Sequence, residues 1–216
     1  MNSHEGKKDL GAPPFRGLSP KVVADRQSID YPKGQGKAWF AREDIEEGEI
    51  IMYPHEDQHK FEFKLEEVLS WPRERRRKFF RLAYQVDDDL YSGYHSDTEM
   101  TERQKEEWYC NHSCDPNVWF LDKDVIAARR HISAGEELYY DYATSETNDK
   151  MYLECMCESA LCRKVIRGSD WAIPELQERY RGHFLPYVQR KIDNLLLQQQ
   201  QKESGDGKKK DAEARM

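Results

Sequence analysis

Five cysteines are the residues of this chain best suited to chemistry. Cys155, Cys157 and Cys162 fall within eight residues, and Cys110 and Cys114 lie about forty residues upstream. Inside a cell thiols are kept reduced, so metal binding is a better interpretation than disulfide bonding. A metal site can close only if the fold brings the two segments together. Separate buried thiols are the alternative.

A second candidate is the string Asn-His-Ser-Cys-Asp-Pro-Asn from Asn111 to Asn117. By itself it predicts a tight polar turn, because Asn, Asp and Pro all favour turns. A single histidine beside a serine in such a turn is a loop residue in most proteins. The functional information in this string therefore depends on the motifs that accompany it.

Short strands are predicted on both sides of this string. From about residue 33 to 53 the chain alternates between polar and apolar residues and breaks at glycines, which is typical of strands joined by turns. The same patterning returns downstream at Val118–Phe120, Val125–Ala128 and Glu137–Tyr142. The sequence therefore predicts a mainly β domain.

Helices are predicted in two regions. Phe79, Leu82, Ala83 and Val86 recur at helical spacing, which predicts a helical insert at about 57–107. Near the C-terminus, prolines at 174 and 186 open and interrupt helical patterns, so C-terminal helices are expected over residues 169–201. The flanking segments 1–20 and 202–216 are low in apolar residues and are predicted to be disordered tails.

Four strings occur in a fixed order along the chain, and they carry a family resemblance. They are Lys33-Gly34-Gln35-Gly36, the Asn111–Asn117 string, Gly135 to Tyr142 (Gly-Glu-Glu-Leu-Tyr-Tyr-Asp-Tyr), and Cys155-Met156-Cys157 with Cys162. Together they resemble the SET domain with its post-SET cysteine segment. The resemblance implies the SET-domain β-clip fold with knot-like threading, a SET domain over 21–145 and a post-SET zinc segment over 146–168.

The resemblance also implies a ligand set for one metal ion. In proteins of this kind the cysteine of the Asn-His-Ser-Cys string joins the post-SET cysteines on a tetrahedral zinc, which here means Cys114, Cys155, Cys157 and Cys162. Four thiolates with no open position form a structural rather than a catalytic zinc site. Cys110 is left over and is expected to be a core residue.

The activity implied by the resemblance is methyl transfer from S-adenosylmethionine to a protein lysine. Tyr142 matches the family's catalytic tyrosine, and Tyr53 resembles a second active-site tyrosine, with a plain core role as the alternative. Tyr140 matches a position whose hydroxyl limits methylation to one or two methyl groups. The residues implied in donor binding are Lys33, Gly34, Gln35, Gly36, Asn111, His112 and Tyr142.

Three positions depart from the family pattern. Trp108-Tyr109-Cys110 stands where Arg-Phe-x is common, Gln35 replaces a frequent tryptophan, and His55-Glu56 replaces Gly-Glu. A side chain at residue 55 hinders backbone approach more than glycine would. These departures bear on donor affinity and on the shape of the substrate groove.

Composition narrows the choice of partners. A formal charge of −7 argues against a general phosphate-backbone binder, so no direct nucleic-acid contact is expected. It suits a basic protein segment, with histone tails as the obvious class. No apolar run resembles a membrane span or a secretory signal, which predicts an intracellular protein of the nucleus or cytoplasm.

Two other functions stay open at this point. One is a catalytically silent SET-like module that binds protein partners, and the other is a zinc-supported nucleic-acid binder. Retention of Tyr142, Asn111 and the full cysteine set counts against the silent module. The acidic balance of the chain counts against the nucleic-acid binder.

Overall fold

Strands dominate the first three quarters of the protein. The computed structural model describes residues 15–27, 37–56, 58–94 and 101–213. The strands are β1 (Gly17–Leu18), β2 (Val22–Gln27), β3 (Lys37–Ala41), β4 (Ile50–Tyr53), β5 (Glu62–Lys64), β6 (Tyr84–Asp87), β7 (Leu90–Ser92), β8 (Asn111–His112), β9 (Val118–Asp122), β10 (Val125–Ala128), β11 (Glu137–Tyr140), β12 (Tyr152–Glu154) and β13 (Val165–Arg167). The α-helices are α1 (Leu65–Ser70), α2 (Arg73–Phe79), α3 (Glu102–Lys105), α4 (Pro174–Arg179) and α5 (Pro186–Glu213). The predicted mainly β class with C-terminal helices is confirmed.

Two four-stranded sheets enclose the main core. Their strand orders are β1-β4-β10-β9 and β2-β3-β11-β8. Some strands contribute every second side chain to the core, whereas others, such as β10, bury every side chain. In β9, for example, Val118 and Phe120 are buried, whereas Trp119 between them is partly exposed. One face of each such strand therefore packs against the other layer.

The pairing of β8 with β11 positions the Asn111–Asn117 string. The two strands run in parallel, with Asn111 opposite Tyr139 and His112 opposite Tyr140. The other edge of β11 pairs antiparallel with β3, where Leu138 lies opposite Trp39. The short strand β8 is therefore held at a fixed register beside the end of β11.

The insert between β4 and β8 contains helices but is not wholly helical. Strands β5, β7 and β6 form a three-stranded sheet next to α1 and α2. The prediction that helical spacing continues to Val86 was wrong, because α2 ends at Phe79 and Val86 lies in β6. Tyr84 and Val86 have side chains that favour strands. Tyr84 pairs with Ser92 of β7, and Val86 lies where the register between β6 and β7 shifts.

Both predicted tails are shorter in the structure than expected. Residues 1–14 lie outside the described residues, but Gly17–Leu18 pairs with Met52 and Tyr53 of β4. At the other end α5 continues to Glu213, so the backbone of 202–213 is helical. The prediction was wrong there because few apolar residues were taken to mean disorder, although glutamine, lysine and glutamate favour helices.

The first half of α5 anchors the C-terminal segment to the main core. Tyr187, Val188 and Ile192 are buried in the same cluster as the sheet residues, together with Leu185 just before the helix. On α5 the apolar side chains are therefore buried up to Ile192, whereas Leu196 is exposed. Within the described ranges, no helix combines the length and apolar character required to cross a membrane.

We expect Leu185→Ala to lower the free energy of unfolding by about 2–5 kcal/mol, because it leaves a cavity at a fully buried site. Leu197→Ala is the matched control, since Leu197 is 53% exposed on α5, and it should change stability by less than about 0.5 kcal/mol. Urea unfolding followed by circular dichroism measures both. Equal losses would contradict the packing of this segment on the core.

Candidate active site and cysteine cluster

Tyr142 lies where β8 and β11 end side by side. It begins a short 3₁₀ helix, Tyr142–Thr144, that directly follows β11. Its hydroxyl donates a hydrogen bond to the Cys110 carbonyl oxygen at 3.4 Å, and its ring centroid is 5.1 Å from that of His112. The Asn111–Asn117 string and Tyr142 therefore meet at one place.

His112 is held as a neutral ring. Its Nδ1 accepts a hydrogen bond from the Tyr142 backbone N–H at 3.2 Å, which leaves Nε2 to carry the proton and to point at Cys114 Sγ, 3.4 Å away. Burial lowers the pKa of His112 to about 4, although the Asp141 carboxylate opposes this shift. His112 thus connects the backbone of Tyr142 to the Cys114 thiol without carrying charge.

A large cavity opens beside Tyr142. Its volume is about 890 Å³, and Asn111, His112, Tyr140 and Tyr142 are part of its wall. The aromatic residues that line it are Trp39, Phe80, Tyr84, Tyr91, Trp108, Tyr109, Phe120, Tyr140 and Tyr142. A cavity of this size with these nine aromatic side chains on its wall is typical of a small-molecule or side-chain binding site.

Tyr140 and Tyr142 keep their hydroxyl protons. Their ring centroids are 4.9 Å apart, and the Tyr140 hydroxyl accepts a hydrogen bond from Ser145 Oγ at 3.3 Å. Burial raises the pKa of both tyrosines above the ordinary value. Both hydroxyls are therefore neutral donors at physiological pH.

Tyr53 does not join these tyrosines. It is absent from the residues that line the cavity, whereas Met52 is among them. Successive side chains of a strand point to opposite faces, so Met52 facing the cavity turns Tyr53 away from it. The Tyr53 ring instead lies 5.9 Å from the Arg16 guanidinium. The predicted channel role of Tyr53 is therefore not supported, and the predicted donor residues Lys33 to Gly36 lie outside the described residues.

Four cysteines gather next to His112. The Sγ atoms of Cys114, Cys155, Cys157 and Cys162 all lie within 4.8 Å of one another, so this group could hold a metal ion. The Cys114 backbone N–H donates to Cys157 Sγ at 3.5 Å. Burial opposes ionisation of Cys157, but this hydrogen bond and those from Ser159 outweigh it and lower its pKa to about 6. Cys110 stays apart, with its Sγ 3.7 Å from the Leu138 carbonyl oxygen.

Comparison with known proteins agrees with this arrangement. The family model of the SET domain matches residues 36–143, which is half of the chain. This chain belongs to the SET-domain family. The matched segment contains β3 to β11 and ends at Ala143, next to Tyr142.

Individual relatives match over shorter or more divergent stretches. The histone-lysine N-methyltransferase trithorax of Drosophila virilis is 27% identical over 144 residues, which is 61% of this chain and 3% of that protein. The histone-lysine N-methyltransferase ash1 of Drosophila melanogaster is 39% identical over 75 residues, 32% of this chain and 3% of that protein. The chain thus spans a small fraction of the length of these relatives. A crystal structure of KRYPTONITE in complex with mCHG DNA and SAH superposes with a TM-score of 0.43 at 19% identity, over 67% of this chain and 28% of that one.

A buried ion pair connects the SET domain to the segment that contains Cys155, Cys157 and Cys162. The sequence did not reveal this ion pair. Both terminal nitrogens of Arg163 donate to the Asp141 carboxylate at 2.7 Å, and Arg163 Nε donates to Asp170 at 3.0 Å. Asp141 also accepts from the Tyr180 hydroxyl at 3.1 Å and caps the 3₁₀ helix by accepting from the Ala143 N–H. The only signal was position: Asp141 precedes Tyr142, and Arg163 follows Cys162.

The ion pair has a defined pH dependence. Burial alone raises the pKa of Asp141, but the hydrogen bonds and charge of Arg163 outweigh it, so the pKa is lowered below its usual range. A lowered carboxyl pKa contributes stability above the unfolded pKa of about 3.9, and this contribution is lost as the pH falls through the folded pKa.

We predict that Asp141→Asn lowers the free energy of unfolding by about 3–5 kcal/mol at pH 7, because it leaves the Arg163 charge buried without a counter-charge. The gap to wild type should narrow as the pH falls below 4. Asp87→Asn is the control, since Asp87 and Arg190 form an exposed pair that is expected to contribute about 1 kcal/mol or less. Denaturant unfolding at several pH values decides this, and an equal, pH-independent loss in both variants would refute it.

Proposed function

We propose that this protein is a protein-lysine N-methyltransferase that uses S-adenosylmethionine. The observation that carries the proposal is the meeting of Tyr142 with Asn111 and His112 on the wall of an aromatic cavity. Membership of the SET-domain family supports it, as do relatives named histone-lysine N-methyltransferases.

The reaction asks little covalent chemistry of the protein. When bound, S-adenosylmethionine would supply an electrophilic methyl group on a sulfonium sulfur. The lysine amine would attack the methyl carbon in line with the departing sulfur. The protein must align the two reactants, exclude water and keep the amine neutral. The Tyr142 hydroxyl and the Cys110 carbonyl, 3.4 Å apart, are polar groups placed to orient an amine. The faces of Tyr140 and Tyr142 attract the cationic methylated product.

Donor binding is assigned to the polar wall of the same cavity. Asn111 Nδ2 donates to Glu137 Oε1 at 3.3 Å, which fixes the orientation of its amide group, and its Oδ1 is left to accept from a ligand. The Tyr142 backbone N–H holds the ring of His112, and the pairing of β8 with β11 holds the His112 backbone. Lys33 to Gly36 would complete this wall, with the glycines allowing close backbone approach.

The metal is proposed to be one structural zinc ion. A tetrahedral site with Zn–S bonds of about 2.3 Å places its sulfurs about 3.8 Å apart. The Cys114 and Cys155 sulfurs are 3.9 Å apart, so the cysteine cluster fits this geometry. Four thiolates leave no open position for substrate, which makes the role structural. Residues 146–168 would form the zinc segment that closes one side of the site.

The proposed substrate is lysine in a basic protein segment such as a histone tail. The cavity wall carries equal numbers of acidic and basic residues, so the support comes from the net charge of −7 on the chain as a whole. Tyr140 is buried with its ring centroid 4.9 Å from that of Tyr142, which supports mono- or dimethylation by limiting room for a third methyl group. Such a substrate would place the protein in the nucleus or cytoplasm.

Tyr142→Phe should lower methyl transfer to core histones by on the order of 10²-fold, because the amine loses a group that orients it. Tyr53→Phe should retain near wild-type activity, since Tyr53 lies off the cavity. Radiolabelled methyl transfer measures both variants. If wild type labels no histone and binds no donor, the silent protein-binding module becomes the better function; if Tyr53→Phe is as inactive as Tyr142→Phe, the assignment of the cavity is wrong.

Elemental analysis of the purified protein should return about one zinc per chain. Cys157→Ser should lower both zinc content and turnover, because it removes one of four ligands. Cys110→Ser is the matched control and should keep the zinc, since Cys110 lies outside the cluster. Equal zinc content in both variants would contradict the proposed ligand set.

A further inference from the structure

Glu146 is a carboxylate of the cavity wall to which the preceding mechanism gives no role. It lies four residues after Tyr142, and its backbone N–H donates to the Tyr142 carbonyl oxygen at 2.8 Å. Its side chain is partly buried, lines the cavity, and accepts a hydrogen bond at Oε1 from the Gln85 N–H at 3.2 Å. One hydrogen bond from the Gln85 backbone therefore holds the carboxylate, and Glu146 is part of the cavity wall.

The charge of this carboxylate acts on four tyrosines that belong to four separate elements. They are Tyr91 of β7, Tyr140 of β11, Tyr142 of the 3₁₀ helix and Tyr187 of α5. In each case burial raises the pKa of the tyrosine and the negative charge of Glu146 adds to the shift; for Tyr91 the pKa reaches about 12. Tyr91, Tyr140 and Tyr142 line the same cavity as Glu146, so its charge acts on the aromatic wall.

Glu146 has no counter-charge within the described ranges. The other partly enclosed carboxylate of the cavity, Glu107, pairs with His55 at 2.8 Å, and Asp88 at the rim pairs with Lys191. Of the charged groups that line the cavity near Glu146, Lys150 and Asp149 belong to exposed residues of the following loop. Burial raises the pKa of Glu146 to about 7, opposed only by the Gln85 N–H. A cation that binds beside such a carboxylate stabilises its charged form.

We propose that Glu146 receives the ammonium group of the target lysine and accepts its proton before methyl transfer. This rests on the proposed function and adds a proton acceptor to it, in place of direct deprotonation by solvent. Glu146 and Tyr142 line the same cavity, so an amine bound there can reach the carboxylate directly or through one water molecule.

One N–H bond of the lysine ammonium breaks, and its proton moves to the Glu146 carboxylate. The freed lone pair forms the new N–C bond to the methyl group while the C–S bond breaks, and the electron pair of that bond stays on the sulfur. Glu146 then returns its proton to solvent, so no oxidant, metal or covalent intermediate is required.

The pH dependence of methyl transfer to core histones tests this. A base with a pKa near 7 predicts that wild-type kcat/KM rises about tenfold between pH 6 and pH 8 and then levels. Glu146→Gln keeps an acceptor for the Gln85 N–H but cannot take a proton. Its rate should fall by on the order of 10²-fold at pH 7 and keep rising towards pH 10, following the free lysine amine.

Two further variants make the result specific. Glu146→Asp keeps a carboxylate and should restore part of the plateau above pH 7. Glu178→Gln, at an exposed residue of α4 paired with Arg181, should match wild type at every pH. Circular dichroism and donor binding by calorimetry should be the same for all four proteins, because no change touches the donor wall.

The outcomes separate this inference from the function on which it rests. If wild type transfers methyl groups and Glu146→Gln shows the same pH profile and rate, the proton-acceptor role is overturned and methyl transfer stands. If wild type labels no histone at any pH, the proposed function fails and the role of Glu146 fails with it. A lost plateau that Glu146→Asp partly restores supports the inference.

Discussion

The ion pair between Asp141 and Arg163 is the interaction on which the arrangement of the site depends. Asp141 is 1% exposed, and burying its charge is unfavourable unless every oxygen is satisfied. The fork of Arg163 matches both oxygens, and the Tyr180 hydroxyl and the Ala143 N–H complete the set. A carboxylate with four such donors has one stable position, which fixes the neighbouring Tyr142.

The same pair ties three parts of the chain together. Asp141 belongs to the SET domain, Arg163 follows the last ligand cysteine, and Tyr180 ends α4. The backbone N–H of Arg163 also donates to Cys114 Sγ at 3.3 Å, so the cysteine cluster and the ion pair share one residue. The position of Asp141, and with it that of Tyr142, therefore depends on the segment that contains Arg163 being in place.

Local patterns were sufficient to predict much of the scaffold. Strands β9, β10 and β11 follow from strand-like patterning between turns. The helix start at Pro174 and the interruption of the helical pattern at Pro186 follow from the restrictions that proline imposes. The ligand cysteines came from motif order rather than from spacing, since Cys114 lies about forty residues from the others. Val86 was misassigned because four apolar residues at helical spacing were given more weight than the strand preference of their neighbours.

Contacts between distant segments could not be predicted in this way. The orientation of Tyr53 depends on which face of β4 meets the cavity, and the sequence does not show that face. The parallel pairing of Asn111 with Tyr139 and the partner of Asp141 are likewise set by tertiary packing. Glu146 escaped notice for the same reason, because its role follows from tyrosines on four elements and from no motif around residue 146.

Hydrogen–deuterium exchange on wild type and Arg163→Lys tests the central claim most directly. Lysine keeps the charge but cannot bond both oxygens of Asp141 and also Asp170, so the shared anchor is weakened without an unpaired buried carboxylate. The ion pair as described predicts faster exchange together in the Tyr142–Thr144 helix, in residues 155–167 and in α4, while β4 and β10 are unchanged. Faster exchange confined to the residues adjoining position 163 would contradict it.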